Sequence, residues 1–277
     1  MLLGFNGATT MKASLEEDVR AAAGAGFTAL EIWADKMNRY LETHSLEELK
    51  GLFASHNLTP VSINSIEHIA FRGEAYPQIQ EQCLRYSKIA QTIGCDKIVV
   101  VPSPTPAGDT WADIKRESVT VLRDLAAIAR KHKVKLAFEF LGQTDCSVPT
   151  LAQCWEIVRA TNRSNVGLVL DTFHFYAGGS TLDSILDVAP DKLLIFHIND
   201  SEELPLPSLT DAHRLLPGEG VIPLLDILAN LRTIGFDGLC SIELFRPAYW
   251  DRAAGELARD ARGKTASLLH QAGFQVV

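Results

Sequence analysis

Four residues with metal-binding side chains each close a short apolar run in the second half of this chain. The runs KLAFE, VGLVLD, LLIFH and CSIE end at Glu139, Asp171, His197 and Glu243. Carboxylates and imidazoles at the ends of buried strands cost free energy unless they are paired or bind a cation. Three carboxylates and one imidazole form a suitable ligand set for a divalent ion. The pattern therefore predicts a metal-dependent enzyme.

These four ends converge only if their strands are parallel neighbours in one sheet. Short apolar runs alternate with longer helical patterns along the whole chain, which indicates a parallel sheet covered by helices. Eight strands are predicted, at Leu2–Phe5, Ala29–Trp33, Pro60–Asn64, Lys97–Val101, Val134–Glu139, Val166–Asp171, Lys192–His197 and Leu239–Leu244. This count favours one (β/α)8 TIM barrel domain over residues 1–277, with an open doubly wound sheet as the alternative. Such barrels carry their chemistry at the carboxyl ends of the strands.

The intervening segments predict the helices of this barrel. They lie at Leu15–Ala25, Ser45–His56, Tyr76–Ile93, Trp111–His132, Thr150–Thr161, Thr181–Val188, Leu224–Ile234 and Arg252–Ala272. Capping boxes, in which Ser14 pairs with Glu17 and Ser45 with Glu48, mark two of the helix starts. The longest loop of the second half, Ile198–Gly220, has a length typical of lids and binding loops.

Further polar and aromatic residues are expected near the strand ends. His174 follows Asp171 by three residues and is predicted either to face a substrate or to be satisfied by the backbone. Arg214 is expected to hold substrate hydroxyls or a carbonyl with its rigid donor fork, or to remain a solvated loop charge. Trp33 closes the second strand, where it either packs in the core or forms an apolar wall against a sugar-like ring.

Two residues of the long loop are predicted around the ligands rather than among them. Asp200 is expected to hydrogen-bond nearby donors and orient the site, with a plain loop cap as the alternative. His213 directly precedes Arg214 and is likewise predicted to lie around the ligand residues without binding the ion itself.

A divalent ion on four side chains keeps open positions that two adjacent oxygens of a hydroxy-ketone can fill. Such an ion polarises the carbonyl and stabilises the enediolate that forms when a neighbouring C–H loses its proton. Glu139 and Glu243, from strands on either side of the ligand set, are predicted to remove and return that proton. The same enediolate can expel a β-hydroxyl group, so dehydration is the adjacent chemistry.

Composition excludes several other classes of protein. The net charge is −8, with no dense cluster of Lys and Arg, so a nucleic-acid surface is not expected. No apolar stretch approaches the roughly 18 residues that a membrane span needs. Five scattered cysteines without a C-x-x-C pair suit reduced thiols, which predicts a cytoplasmic protein. Nucleotide-binding and serine-nucleophile motifs are absent.

Motifs spread over nearly the whole chain resemble one superfamily. They are FNGATT at 5–10, HSLEEL at 44–49, LAFEFLG at 136–142, NVGLVLDTFHFYAGG at 165–179, FHINDSEE at 196–203, LPGEG at 216–220 and SIELFRP at 241–247. With them, the chain resembles the sugar isomerase/epimerase superfamily of xylose-isomerase-like TIM barrels. Within it, the chain is most similar to the inosose (2-keto-myo-inositol) isomerases of inositol catabolism.

This resemblance implies one catalytic divalent ion (Zn, Mn, Co or Mg) on the four residues at the strand ends. It implies that Glu139 and Glu243 form the acid/base pair, and that His174 and Arg214 grip hydroxyls of a small polyhydroxy-ketone. The implied reaction interconverts 2-keto-myo-inositol and 1-keto-D-chiro-inositol. The chain departs from those isomerases at His213, where they have an acid. Dimers and tetramers are common in the superfamily, so the resemblance is compatible with a homo-oligomer.

Other activities on the same fold stay open. A ketohexose 3-epimerase and an inosose or dehydroshikimate dehydratase would use the same chemistry. Endonuclease IV-like phosphodiesterases share the Asp-x-x-His and Asp-x-His spacings, seen here at Asp171/His174 and Asp211/His213. Their three zinc ions also need histidines at or near the ends of the second and third strands. Trp33 and Asn64 stand at those ends, although His68 lies in a following loop, and the acidic net charge opposes DNA binding. A sugar-binding barrel without activity is the remaining alternative.

Overall fold

The computed structural model describes all residues, Met1–Val277, and its eight main strands close into a barrel. The order around the barrel is β1-β10-β7-β6-β5-β4-β3-β2, and every neighbouring pair is parallel. The strands are β1 (Leu2–Asn6), β2 (Ala29–Trp33), β3 (Thr59–Ile66), β4 (Lys97–Val100), β5 (Lys135–Glu139), β6 (Val166–Asp171), β7 (Leu193–Ile198) and β10 (Leu239–Ile242). The predicted (β/α)8 barrel is confirmed, and the open sheet is excluded.

Helices surround this barrel, and five of them begin at a side-chain cap, supplied by Ser14, Ser45, Thr110, Thr150 and Asp171. They are α1 (Leu15–Ala25), α2 (Ala34–Tyr40), α3 (Leu46–Ser55), α4 (Tyr76–Ile93), α5 (Trp111–Arg130), α6 (Leu151–Thr161), α7 (Thr172–Ala177), α8 (Asp183–Leu186), α9 (Leu224–Thr233) and α10 (Ala254–Gln271). Both predicted capping boxes, at Ser14 and Ser45, are formed. None of the helices combines the length and the apolar composition that crossing a bilayer requires.

Two short helices were not predicted, because each begins directly at the end of a strand without a Gly or Pro between them. α2 follows β2, and α7 follows β6. The carboxylate of Asp171 accepts a hydrogen bond from the backbone N–H of His174 at 2.8 Å, so the last residue of β6 also caps α7. The predicted helix Thr181–Val188 is shorter in the structure, where α8 covers only Asp183–Leu186.

The long loop after β7 folds into a small antiparallel ribbon of β8 (Asp200–Ser201) and β9 (Arg214–Leu215). The carboxylate of Asp200 accepts backbone N–H groups from Gly218 at 3.0 Å and from Gly220 at 2.9 Å, which folds the following turn back onto the ribbon. This arrangement carries Arg214 over the mouth of the barrel.

The barrel interior is layered because alternate residues of each strand point inward. Its apolar layer consists of Ala29, Val61, Val99, Val101, Ala137, Val169, Ile195 and Leu239. Two residues further along their strands, the same alternation turns Glu31, Glu139, Asp171 and His197 inward. The polar groups therefore form the next layer, at the carboxyl ends of the strands.

Candidate metal centre

The structure brings the four predicted ligand residues together. One ligand atom each of Glu139, Asp171, His197 and Glu243 lies within 4.8 Å of the others, and all four side chains are buried. Glu139 and Asp171 are the last residues of their strands, His197 is the penultimate residue of β7, and Glu243 directly follows β10. The barrel therefore forms one compact cluster of oxygen and nitrogen donors at its mouth.

The imidazole of His197 lies between two groups of carboxylates. Its Nδ1 lies 2.9 Å from Oε1 of Glu139 and 3.3 Å from Oε2 of Glu243, while its Nε2 lies 2.8 Å from Oε1 of Glu31. Glu31 is buried within β2 and also accepts hydrogen bonds from Asn6 and Ser62. A carboxylate that accepts the Nε2–H group leaves the lone pair of Nδ1 for a cation in the cluster.

Glu31 is a functional residue that the sequence prediction missed. The available signal was a carboxylate inside the apolar run ALEIW, where burial without a partner would be costly. Burial raises the pKa of Glu31, but the charge and hydrogen bond of His197 outweigh this effect and lower it below the ordinary value. Glu31 is therefore held as a carboxylate behind the imidazole.

The two glutamates of the cluster differ in how many of their oxygens are engaged. Oε1 of Glu243 accepts amide N–H groups from Asn64 at 2.7 Å and Asn6 at 3.0 Å, and its Oε2 accepts from Arg214 at 3.2 Å. Glu139 contacts His197 through Oε1. Its Oε2 has no hydrogen-bond partner in the protein, so this oxygen stays available to a ligand or a proton.

Arg214 is buried against the cluster. Its Nη1 donates to Oδ2 of Asp171 at 2.7 Å, and its Nη2 donates to Oδ1 of Asp211 at 2.9 Å and to Nε2 of His174 at 3.0 Å. Because a guanidinium only donates, Nε2 of His174 must accept, which places the proton of a neutral ring on Nδ1.

The position of Arg214 differs from the predicted substrate contact. Its donors are taken by protein groups, and it does not line the cavity above the cluster. The guanidinium also lies between Asp171, Asp211 and His174, where a further cation would be repelled. This arrangement disfavours the multi-zinc phosphodiesterase alternative.

Two other loop residues do not surround the ligands as predicted. Asp200 binds backbone N–H groups of its own loop, so the loop-cap alternative describes it. His213 forms no hydrogen bond with the ligand residues, and its Nδ1 accepts the backbone N–H of Thr210 at 3.0 Å. Asn199 takes the place expected for Asp200, because its side-chain amide donates to Oδ2 of Asp171 at 2.8 Å.

The electrostatics of the cluster fit a bound divalent cation. Burial, together with the charges of Glu243 and Asp171, raises the pKa of Glu139 to about 8 against the lowering effect of His197. Burial lowers the pKa of His197, but Glu243, Glu31 and Glu139 outweigh it and raise this pKa well above its usual value. Both groups therefore bind protons more tightly than usual, because the clustered carboxylates lack a compensating positive charge. One imidazole and three carboxylates are donors that suit zinc, manganese, cobalt or magnesium.

A cavity of about 220 Å³ opens above the cluster, and we call it the inner cavity. Glu139, Glu243 and His174 lie on its wall, and Trp33 and Phe245 contribute apolar rings to the lining, with their centroids 5.4 Å apart. Nδ1 of His174 is buried and has no partner in the protein. The predicted positions of Trp33 and His174 beside the site are thus found in the structure.

The chain belongs to the xylose isomerase-like TIM barrel family, and the sequence model of this family matches residues 19–265. It is 37% identical to a protein named inosose isomerase from Bacillus velezensis over 272 residues, covering 97% of each chain. A Bacillus subtilis protein of the same name is 38% identical over 97% of this chain and 98% of its own. The predicted resemblance to this family and to these isomerases is confirmed.

A solved structure shares the fold almost throughout. The crystal structure of IolI protein with a binding zinc atom superposes with a TM-score of 0.95 at 37% identity, covering 98% of this chain and 99% of that chain. A D-tagatose 3-epimerase-like protein, with a TM-score of 0.79 and 18% identity, shares the fold.

Proposed function

We propose that this protein is a divalent-metal-dependent isomerase of a small cyclic polyhydroxy-ketone. The proposed reaction interconverts 2-keto-myo-inositol and 1-keto-D-chiro-inositol through an enediolate. The observation that carries the proposal is the buried cluster of Glu139, Asp171, His197 and Glu243 directly beneath a cavity the size of one sugar-like ring. The similarity to proteins named inosose isomerase supports the choice of substrate.

The four side chains of the cluster would hold the ion, and Glu31 would keep the imidazole of His197 in the ligating tautomer. When bound, a divalent ion supplies polarisation of the substrate carbonyl and stabilises negative charge on its oxygen. Arg214 keeps Asp171 and Glu243 in position from the buried side.

Glu139 and Glu243 are the proposed acid/base pair. Isomerisation takes a proton from the hydroxyl-bearing carbon next to the carbonyl and returns a proton to the former carbonyl carbon, while the hydroxyl proton moves between the two oxygens. Glu139 has a free Oε2 on the cavity wall, which suits the transfer at one carbon. Glu243 lines the same cavity and would serve the other carbon.

Two further residues would orient the ring. His174 offers a Nδ1–H group without a protein partner, which a substrate hydroxyl can accept. The indole of Trp33 provides an apolar wall, against which the C–H groups of a ring pack.

The proposal is tested by incubating the zinc-loaded protein with 2-keto-myo-inositol and following the ketone carbons by ¹³C NMR. We expect a second ketone signal, that of 1-keto-D-chiro-inositol, at equilibrium with the first. Parallel samples contain D-fructose, D-tagatose and 3-dehydroshikimate. Conversion of only a ketohexose would replace the proposal with an epimerase, and loss of water from 3-dehydroshikimate would replace it with a dehydratase.

A further inference from the structure

A second cavity of about 360 Å³ adjoins the inner cavity, and we call it the outer chamber. The two share the lining residues Trp33, Asn64, Ser65, Glu67 and His68. From this shared wall the outer chamber extends to α4, where Gln78, Gln82 and Tyr86 line it. The inner cavity already has room for one ring, so the outer chamber is space that the proposed substrate does not use.

Tyr86 presents an unused hydrogen-bond donor to the outer chamber. Its side chain is 1% exposed, and its Oη accepts N–H groups from Asn38 at 2.9 Å and Gln82 at 3.3 Å. The amide of Asn38 is fixed in this orientation because its Oδ1 accepts from Arg85 at 2.9 Å. Both hydrogen bonds use the lone pairs of the phenol oxygen, and no protein group accepts its proton. A ligand hydroxyl in the chamber can accept it.

His68 stands at the junction of the two cavities with an unused ring nitrogen. Its Nδ1 is buried and has no partner in the protein, and its ring lines both cavities. The backbone of His68 is left-handed with a φ of 53°, an unfavourable conformation for a residue with a side chain. Ile69 donates to the carbonyl of Val101 at 3.2 Å, which holds the loop in place directly after it. Strained residues of this kind cluster at ligand sites.

The lining of the outer chamber selects the chemistry of its ligand. Asp35, Glu67 and Arg72 are its charged residues, and none of them forms a salt bridge. Two carboxylates against one guanidinium disfavour a phosphate or another anion. The remaining polar groups are amides, the hydroxyl of Ser65, a phenol and an imidazole beside the indole of Trp33. Such a wall suits a neutral polyhydroxylated group, whose hydroxyls both donate and accept.

We propose that the outer chamber is a second binding subsite, which takes a neutral, sugar-sized polyhydroxylated substituent joined to the ring in the inner cavity. This inference rests on the proposed function only for the placement of that ring. His68 positions the ligand where its two parts join, and Tyr86 donates to the substituent. The class of ligand is therefore a glycosylated cyclitol or its ketone, which the site takes in addition to the free ring.

The test is a binding measurement that needs no turnover. Zinc-loaded protein is titrated calorimetrically with myo-inositol and with a galactosyl-myo-inositol, neither of which has a carbonyl group. We expect the galactosyl compound to bind about tenfold more tightly or better, the scale of one or two added hydrogen bonds. Equal affinities, weaker binding of the galactosyl compound, or binding of neither would overturn the subsite.

Three variants locate the gain in affinity. Gln82→Trp fills the outer chamber and should abolish the preference for the galactosyl compound. Gln80 lies on the same helix but outside the chamber lining, so the control variant Gln80→Trp should keep the preference for the galactosyl compound. Tyr86→Phe removes the donor and should lower the preference by about three- to tenfold. An unchanged preference in both Gln82→Trp and Tyr86→Phe would contradict the proposal. Conversion of 2-keto-myo-inositol, measured separately, reports on the proposed function alone.

Discussion

At the residue scale, the hydrogen-bond partners of Glu139 and Glu243 distinguish the two glutamates of the cluster. Glu243 has both oxygens engaged by Asn6, Asn64 and Arg214, whereas Glu139 has one oxygen free. The more constrained carboxylate is fixed in direction, and the less constrained one can exchange a proton with little rearrangement. Both groups lie on the wall of the inner cavity, as an acid/base pair for one substrate requires.

Replacing Glu243 with Gln should lower kcat by at least about a hundredfold, because a positioned acid/base group contributes on this scale. Gln keeps the shape of the side chain but cannot carry the proton. The measurement combines turnover of 2-keto-myo-inositol with the zinc content after dialysis. Turnover near that of the unmodified protein, with zinc retained, would rule out the role of Glu243.

Replacing Glu31 with Gln should weaken zinc binding by about 10- to 100-fold, the usual cost of losing a carboxylate behind a histidine ligand. The amide no longer favours the tautomer that leaves Nδ1 of His197 free. Affinity is measured by competition with a chromogenic chelator, with exposed Glu47→Gln as the control. If Glu31→Gln binds zinc as tightly as Glu47→Gln, His197 is not oriented by Glu31.

The ligand residues could be predicted from the sequence because each closes an apolar run, and parallel strands bring such ends together. For Glu31 the only signal in the sequence is a carboxylate inside an apolar run, and its place behind His197 becomes visible only when the closed barrel shows which residues face inward. The partners of Arg214 could not be predicted either, since they depend on the ribbon that folds the long loop back over the mouth.

At the element scale, the short 3₁₀ helix Gly7–Thr10 after β1 supports the last ligand. The hydroxyl of Thr9 donates to the carbonyl of Ile242 at 3.0 Å and accepts the N–H of Leu244 at 3.1 Å, so it brackets Glu243. The buried Lys36 donates to the carbonyl of Gly7 at 2.8 Å and thereby fixes this helix against α2. This role accounts structurally for the FNGATT motif.

Replacing Lys36 with Met should destabilise the fold by about 3–5 kcal/mol, because it leaves the carboxylate of Asp18 buried without its partner. The two side chains are 1% and 0% exposed and 2.7 Å apart, so solvent does not screen the pair. The free energy of unfolding is measured with urea at several pH values.

The pH dependence of this loss distinguishes the pair from simple packing. Burial raises the pKa of Asp18 from 3.8 to about 7 even with Lys36 present, and removal of Lys36 should raise it further. The folded state then binds the proton more tightly than the unfolded state. The loss should therefore be smallest below a pH of about 7, where Asp18 is protonated in the folded state of both proteins, and grow as the pH rises above it. The double variant Asp18→Asn/Lys36→Met should lose this pH dependence. A loss that stays constant with pH in Lys36→Met would contradict the account.

At the scale of the whole molecule, closure of the barrel makes one site from residues that are far apart in the chain. Glu31 and Glu243 are 212 positions apart, yet both contact the imidazole of His197. Closure could be predicted from the count of eight strand–helix units. The two cavities above the cluster could not, because loops and α4 form their walls.

Because the metal would bind only the closed barrel, zinc should raise the thermal stability of the whole protein. Zinc at about 100 times its Kd adds about 2.7 kcal/mol, which corresponds to a rise in Tm of roughly 5 °C for a chain of 277 residues. Calorimetry with zinc and with EDTA measures the difference. Asp171→Asn should lose most of it, and an equal rise in that variant would show that zinc acts elsewhere.

The central claim is that this barrel moves protons next to a ketone carbonyl with the help of a bound divalent ion. It is tested most directly by incubating the zinc-loaded protein with 2-keto-myo-inositol in D₂O and observing solvent exchange by NMR. We predict that deuterium enters the carbon adjacent to the carbonyl, and that EDTA or Glu243→Gln stops this exchange. If the metal is bound and no deuterium enters any carbon of the ketone, the claim is wrong.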